Sequence, residues 1–344
     1  MSLKNHQFTL NTGAKMPAIG LGTWLAKPDE VRVAVKTALE QGYRHIDAAR
    51  VYGNEHEVGQ ALSESIQAGI LKRDDVFITS KLWNTDHAPE RVEAGLRRSL
   101  RDIGVEYLDL FLVHWPIAFK GTADENVLFP RNDQGQIDVD TSQSIAATWA
   151  KMVEMKRKGL VRAIGLSNVS KDMVQAVCDA AQSDDEVPSS VQVEYHPLVA
   201  PLQRELKDYC DSKKIILTAY SPLGNNRIGE PLLVQRPTLL DVSAKTGHTP
   251  AQILIQWIVR NGVCVIPKSV TPSRLQSNLE SLDFDLSDDE RNAVDALAND
   301  NVVRYNVPIR YAAPNGPWLV DLFGTENEKT DAIWKVATGR VEKI

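Results

Sequence analysis

A carboxylate, a phenol, an ammonium and an imidazole recur at comparable points of this 344-residue chain, at or just past the ends of short apolar runs. Asp47 closes the run 43–47, with Tyr52 five residues further on; Lys81 closes 76–81 and His114 closes 108–114. A phenol of pKa about 10 exchanges protons poorly at neutral pH unless its anion is stabilised. A buried ammonium lowers that pKa, and a carboxylate behind the ammonium keeps the amine cationic. A neutral imidazole can orient a carbonyl oxygen toward the phenol. The four groups together describe a proton relay to a carbonyl, with the hydride supplied by something else. Singly, each is ordinary: a lysine after a strand is usually solvated, and a histidine beside Trp115 is usually packed.

These residues gain meaning from the elements that must carry them. Apolar runs at 19–21, 43–47, 76–81, 108–114, 163–166, 191–194, 215–220 and 263–267 predict eight strands. Helical periodicity fills the intervals at 31–40, 58–68, 89–103, 144–158, 173–181, 202–212 and 250–260. Gly42, Gly69, Gly104, Gly159 and Gly262 follow helices as stop signals. Near-continuous apolar strands imply a parallel sheet covered on its outside, and eight units predict a (β/α)8 barrel as one domain over 1–344. An open doubly wound sheet is the rival, but no G-x-G-x-x-G follows the first strand. A hairpin is expected at 8–17, a long polar loop at 115–141, and a tail from Arg304 onward without any strand-helix unit.

In such a barrel all strand C-termini open on one face. The residues gathered there would be Thr23, Trp24, Asp47, Lys81, His114, Ser167, Asn168, Gln192, Glu194, Tyr220, Ser221, Lys268 and Ser269. Composition narrows the partners. A net charge of −6 without a polybasic run argues against nucleic acid or an anionic membrane, and no apolar stretch reaches membrane-spanning length. Three scattered cysteines form no disulfide or metal pattern, so no metal is expected and a reducing cytoplasm suits the chain.

Several motifs carry a resemblance: Gly20-Leu21-Gly22-Thr23-Trp24, the stretch 45–55, Ser80-Lys81-Leu82-Trp83-Asn84, 108–116, 165–168, 194–197, 219–223 and 266–278. With them the chain resembles an aldo-keto reductase over nearly its whole length. The resemblance implies a catalytic tetrad of Asp47, Tyr52, Lys81 and His114, with Tyr52 as general acid in carbonyl reduction and as base in alcohol oxidation. It implies NADPH/NADP+ as cofactor. Tyr220 would stack on the nicotinamide and Ser167, Asn168 and Gln192 would hold its carboxamide. Thr23, Trp24, Asp47, Ser221 and Leu223 would line the path of the cofactor. Lys268, Ser269, Val270, Thr271, Arg274 and Asn278 would take the 2'-phosphate and adenine, where Ser277 departs from an acidic residue common in relatives.

For substrate, Trp24, Trp83 and Trp115 are expected as aromatic walls, with Phe119 as a fourth. Arg304-Tyr305-Asn306-Val307-Pro308 is similar to a tail motif of fungal sugar and polyol reductases, implying that Asn306 bonds a substrate hydroxyl. Val51 departs from the acidic residue of pentose reductases and favours smaller substrates. The stretch around Gly224-Asn225-Asn226 and Pro231-Leu232-Leu233-Val234 is similar to fungal NADP-dependent glycerol dehydrogenase and L-glyceraldehyde reductase types. The expected partner is a small carbonyl or polyol, and the expected state a monomer or weak dimer. An aldose or uronate reductase is an alternative, though no further pocket arginine is evident. Two other classes remain: a Schiff-base lyase using Lys81, and a non-catalytic NADPH-sensing subunit.

Overall fold

The structure, a computed structural model, describes residues 5–224, 232–312 and 315–344. Asn225, Asn226 and Pro231, part of the stretch similar to glycerol dehydrogenases, lie outside the described residues. Eight parallel strands make the central sheet: β1 (Leu21–Gly22), β2 (His45–Asp47), β3 (Phe77–Leu82) and β4 (Leu108–Val113), then β5 (Val161–Ser167), β6 (Ser190–Glu194), β7 (Ile216–Tyr220) and β8 (Cys264–Val265). They pair in sequence order, and parallel bridges Ile19–Val265 and Gly22–Lys268 join the first strand to the last. The sheet therefore curls into the expected barrel.

That seam explains the glycines of the Gly20-Leu21-Gly22 motif. A Cβ on Gly20 would stand 2.7 Å from the His45 ring, and one on Gly22 would stand 2.8 Å from the Ile266 carbonyl oxygen. Only a residue without a side chain lets the first strand lie this close to His45 of β2 and, across the seam, to the Ile266 backbone.

The apolar strands are buried on both faces, as a parallel sheet requires. Along β4, Leu110 and Leu112 point into the barrel with Phe77, Ala163 and Cys264; Phe111 and Val113 face the helices. The hairpin of Gln7–Thr9 and Lys15–Pro17 lends Leu10 and Met16 to the inner cluster. It plugs the end where the strands begin, leaving the opposite end for the site.

Two expected helices, Pro89–Ile103 and Pro250–Arg260, have the predicted bounds. Pro28–Gln41 and Glu55–Gln67 start three residues earlier than expected, because their first turns are acidic and carry no apolar period. Pro237–Thr246, Pro272–Leu279 and Asp288–Asp295 were not foreseen, although the first two begin with the proline that favours a first helical turn. The tail corrects an expectation outright. Val320–Asp321, helix Glu326–Asp331 and strand Trp334–Ala337 form a strand-helix-strand unit, and Arg340–Lys343 adds an antiparallel third strand. Strands of two to four residues are too short for a period to show. Thr325 and Glu328, which form a capping box, were the one legible signal. Among the described residues no helix is long and apolar enough to cross a membrane, and no cluster of metal-binding side chains occurs.

Candidate active site

β2, β3 and β4 are neighbours in the barrel, so their ends place Asp47, Lys81 and His114 side by side. Lys81 Nζ donates to Asp47 Oδ1 at 2.5 Å, to the Ala48 carbonyl at 3.0 Å and to the Tyr52 hydroxyl at 3.1 Å. All three ammonium hydrogens thus have acceptors, which a fully buried cation needs. Tyr52 arrives on a 3-10 turn, Arg50–Tyr52, ended by Gly53 at φ 67°. That tight turn brings the phenol back over β3 where an extended loop would carry it away.

Burial works against the charge on Lys81, but Asp47 and then Tyr52 outweigh it, and the amine is held above its ordinary pKa. The phenol departs from the expectation of a lowered pKa. Burial raises it and Asp47 adds to the rise, and the opposing pull of Lys81 does not cancel them. Tyr52 is thereby a protonated donor at neutral pH. Burial, and then the nearby Lys81 charge, hold His114 well below 6.5, so the ring is neutral. Its ring centroid lies 5.7 Å from that of Tyr52, edge to face.

A cavity of about 730 Å³ opens above these groups, in the range of small-molecule sites. Asp47, Tyr52, His114, Trp24, Trp83 and Trp115 line it, with Ser167, Asn168, Gln192, Tyr220, Ser221, Leu223, Lys268 and Asn306. Lys81 and Thr23 stand behind the wall: Thr23 Oγ1 donates to the Asp47 carbonyl at 2.9 Å. Gln192 Nε2 donates to Asp47 Oδ2 at 2.7 Å, steadying the carboxylate oxygen that Lys81 leaves. Asn168 joins three strand ends. Its Nδ2 donates to the His114 carbonyl and to Ser167 Oγ, and its Oδ1 accepts from the Tyr220 hydroxyl.

Past Lys268 the chain turns through Ser269, Val270 and Thr271 into helix Pro272–Leu279. Neither Lys268 nor Arg274 pairs with an acidic side chain among the described residues, and both are exposed. Two unpaired cations beside a helix start suit a phosphate monoester. Asn278 is buried on that helix, one turn beyond Arg274.

The walls differ from expectation in two places. Phe119 does not line the cavity; it is buried behind Trp83 at 6.0 Å between centroids, its backbone nitrogen bound to the Asn84 carbonyl. Phe129 of the same loop lines it instead, 5.3 Å from Trp83. The tail brings Trp318, Tyr311 and Arg310 into the lining as well. Arg310 is the pocket arginine that was not evident in the sequence. Nothing in its neighbourhood of the chain marked it, since the tail's path alone brings it there. Val51 also lines the cavity.

The chain is similar to known proteins in sequence and in fold. The model of the Aldo/keto reductase family matches residues 18–299. "Aldo-keto reductase family 1 member A1" of Rattus norvegicus is 46% identical over 306 residues, 87% of this chain and 91% of its own. The Homo sapiens protein of that name is 45% identical over the same coverage. Among solved structures, the aldose reductase from Schistosoma japonicum superposes with a TM-score of 0.80 at 38% identity, covering 89% of this chain and 95% of its own.

Proposed function

Because the chain belongs to the aldo/keto reductase family and is an oxidoreductase of that kind, we propose that it reduces short hydroxyaldehydes of the glyceraldehyde type with NADPH. The reverse reaction takes glycerol or a related polyol with NADP+. The observation that carries the reading is the contact of one buried ammonium with both Asp47 and Tyr52, beside the neutral ring of His114.

NADPH, when bound, supplies the hydride. Tyr220, Ser167, Asn168 and Gln192 would hold its nicotinamide end, and Lys268, Ser269, Val270, Thr271, Arg274 and Asn278 its phosphate end. Lys268 in the cavity lining and Arg274 on the helix that follows it, neither paired with an acidic side chain among the described residues, are the feature that fits this cofactor. Tyr52 donates the proton to the carbonyl oxygen as that oxygen gains charge. Lys81, itself fully buried, then stabilises the phenolate left on Tyr52 at short range. His114 orients the carbonyl as a neutral donor. Trp24, Trp83 and Trp115 supply apolar walls, and Asn306 a hydrogen bond to a substrate hydroxyl. A Schiff base on Lys81 is disfavoured, because the amine is fully buried and held protonated by Asp47. A reducing cytosol, which three free thiols suit, and a monomer or weak dimer belong to the same reading.

Arg310 in the lining favours a second substrate reading, an aldehyde that also bears a carboxylate, such as a uronate. A kcat/KM panel decides between the two. It runs DL-glyceraldehyde, xylose, arabinose and galacturonate with NADPH, and glycerol with NADP+. Glyceraldehyde and glycerol leading the series supports the first reading, and galacturonate leading it selects the second. No NADPH oxidation with any aldehyde would overturn both.

A further inference from the structure

Glu194 ends β6 with both carboxylate oxygens buried, and the carbonyl reduction described above gives it no task. Its Oε1 accepts from Tyr305 N at 2.7 Å and from His196 Nε2 at 2.9 Å; its Oε2 accepts from Asn306 N at 2.8 Å. Two consecutive backbone N–H groups of the tail therefore converge on one anion, an arrangement that binds through charge-assisted hydrogen bonds. Tyr305 and Asn306 both line the cavity. The chain from there runs through the turn Pro308–Arg310 to Tyr311 and Trp318, which line it too.

We propose that Glu194 is a positioning residue that fastens the C-terminal tail to the barrel, and through it sets the shape of the substrate end of the cavity. The proposal rests on the reading that the substrate occupies this end. The bonds to Glu194 are charge-assisted, whereas Val303 N to the Leu198 carbonyl at 3.0 Å and Asn306 Nδ2 to Ser221 Oγ at 3.2 Å join neutral groups. His196 braces the anchor from beneath, with its ring 5.2 Å from that of Tyr305. Burial works to raise the Glu194 carboxyl, yet His196, Arg304 and the Tyr305 amide together hold it below its ordinary value. An anion is thus maintained where the tail's amides need one. Glutamine at this position would keep the volume but turn an NH2 toward one of the two amides, leaving that buried N–H without an acceptor.

Amide hydrogen exchange on the unsubstituted protein, Glu194→Gln and Glu194→Ala tests this directly. The amides of Tyr305 and Asn306 should exchange at least about tenfold faster in both variants, while those of Phe111 and Ile164 in the barrel stay protected. In steady-state assays the KM for glyceraldehyde and for galacturonate should rise in Glu194→Gln, with the Kd for NADPH within about twofold of the parent. Unchanged protection at Tyr305 and Asn306 would overturn the proposal. So would loosening that reaches Phe111 and Ile164 to the same degree, since that would make Glu194 a general stabiliser. The exchange result stands even where no aldehyde is turned over, so failure of the reductase reading and failure of the anchor are distinguishable.

Discussion

Asp47 and His114 reach the cavity, with Lys81 just behind them, from strands paired to neighbours on both sides, whereas Asn306, Arg310 and Trp318 reach it from outside the barrel strands. The first group is held by the barrel's own ladder, and a shift of any member would break strand pairing. The second is held outside any strand ladder, by Glu194 gripping two amides of the segment and by Trp318 packing edge-on against Trp83, Trp115 and Phe119. The difference separates two tasks. Proton transfer needs groups fixed to a fraction of an ångström, which strand ends supply directly for Asp47, Lys81 and His114 and, through the Lys81 hydrogen bond, for Tyr52 on its turn. Fitting one substrate rather than another can rest on a segment that tolerates change, since loops accept substitution where ladders do not.

Substitutions on the barrel side should strike chemistry and stability, and those on the tail side selectivity. The largest effect is expected from Tyr52→Phe, which leaves the ring in place but removes the proton: kcat should fall by about 10²–10⁴-fold with the NADPH Kd little changed. Substantial residual turnover in single-turnover assays would remove the phenol from its assigned role. Asp47→Ala leaves the Lys81 ammonium buried with its main partner gone. Urea denaturation should show a loss of about 3–5 kcal/mol, the scale for stripping one member from a buried ion pair. A loss near zero would mean that the pair is hydrated and not a fixed device.

On the tail side, Arg310→Met should lower kcat/KM for galacturonate by about 10–100-fold and leave glyceraldehyde nearly unaffected. Equal losses for both substrates would erase the contrast between the two regions. The smallest effect sharpens the comparison by what does not happen. With Tyr52 raised above 10.0 the phenol stays protonated as pH rises, and reduction is lost only on passing that raised value. With His114 lowered well below 6.5 the ring stays neutral as pH falls through that point. The pH profile of kcat/KM for reduction should be level from about pH 6.5 to about pH 9. An inflection between those limits would show that one of the two groups titrates where burial forbids it.

The barrel side was legible in the chain because its signals are local. Apolar runs ending in Asp47, Lys81 and His114 announce strands and their functional ends in the same few residues, and Pro89–Ile103 carries its own start and stop. The aromatic walls were legible only in part. Trp83 and Trp115 adjoin strand ends, but whether Phe119 or Phe129 faces the cavity depends on how the long loop folds back on Trp83.

What the sequence determined by itself is the alternation of strand and helix, the glycines that follow helices (Gly42, Gly69, Gly104, Gly159 and Gly262), and the identity of the four groups that can move a proton. Periodicity and glycine placement are properties of neighbouring residues, so they survive without coordinates. What only the tertiary structure decided is the balance at Tyr52, where burial outweighs Lys81, and the arrival of Arg310 and Trp318 in the cavity beneath the grip of Glu194. Both depend on which distant segments close over a site and exclude water from it. Desolvation and long-range approach are set by the packed whole, and no short window of residues records them.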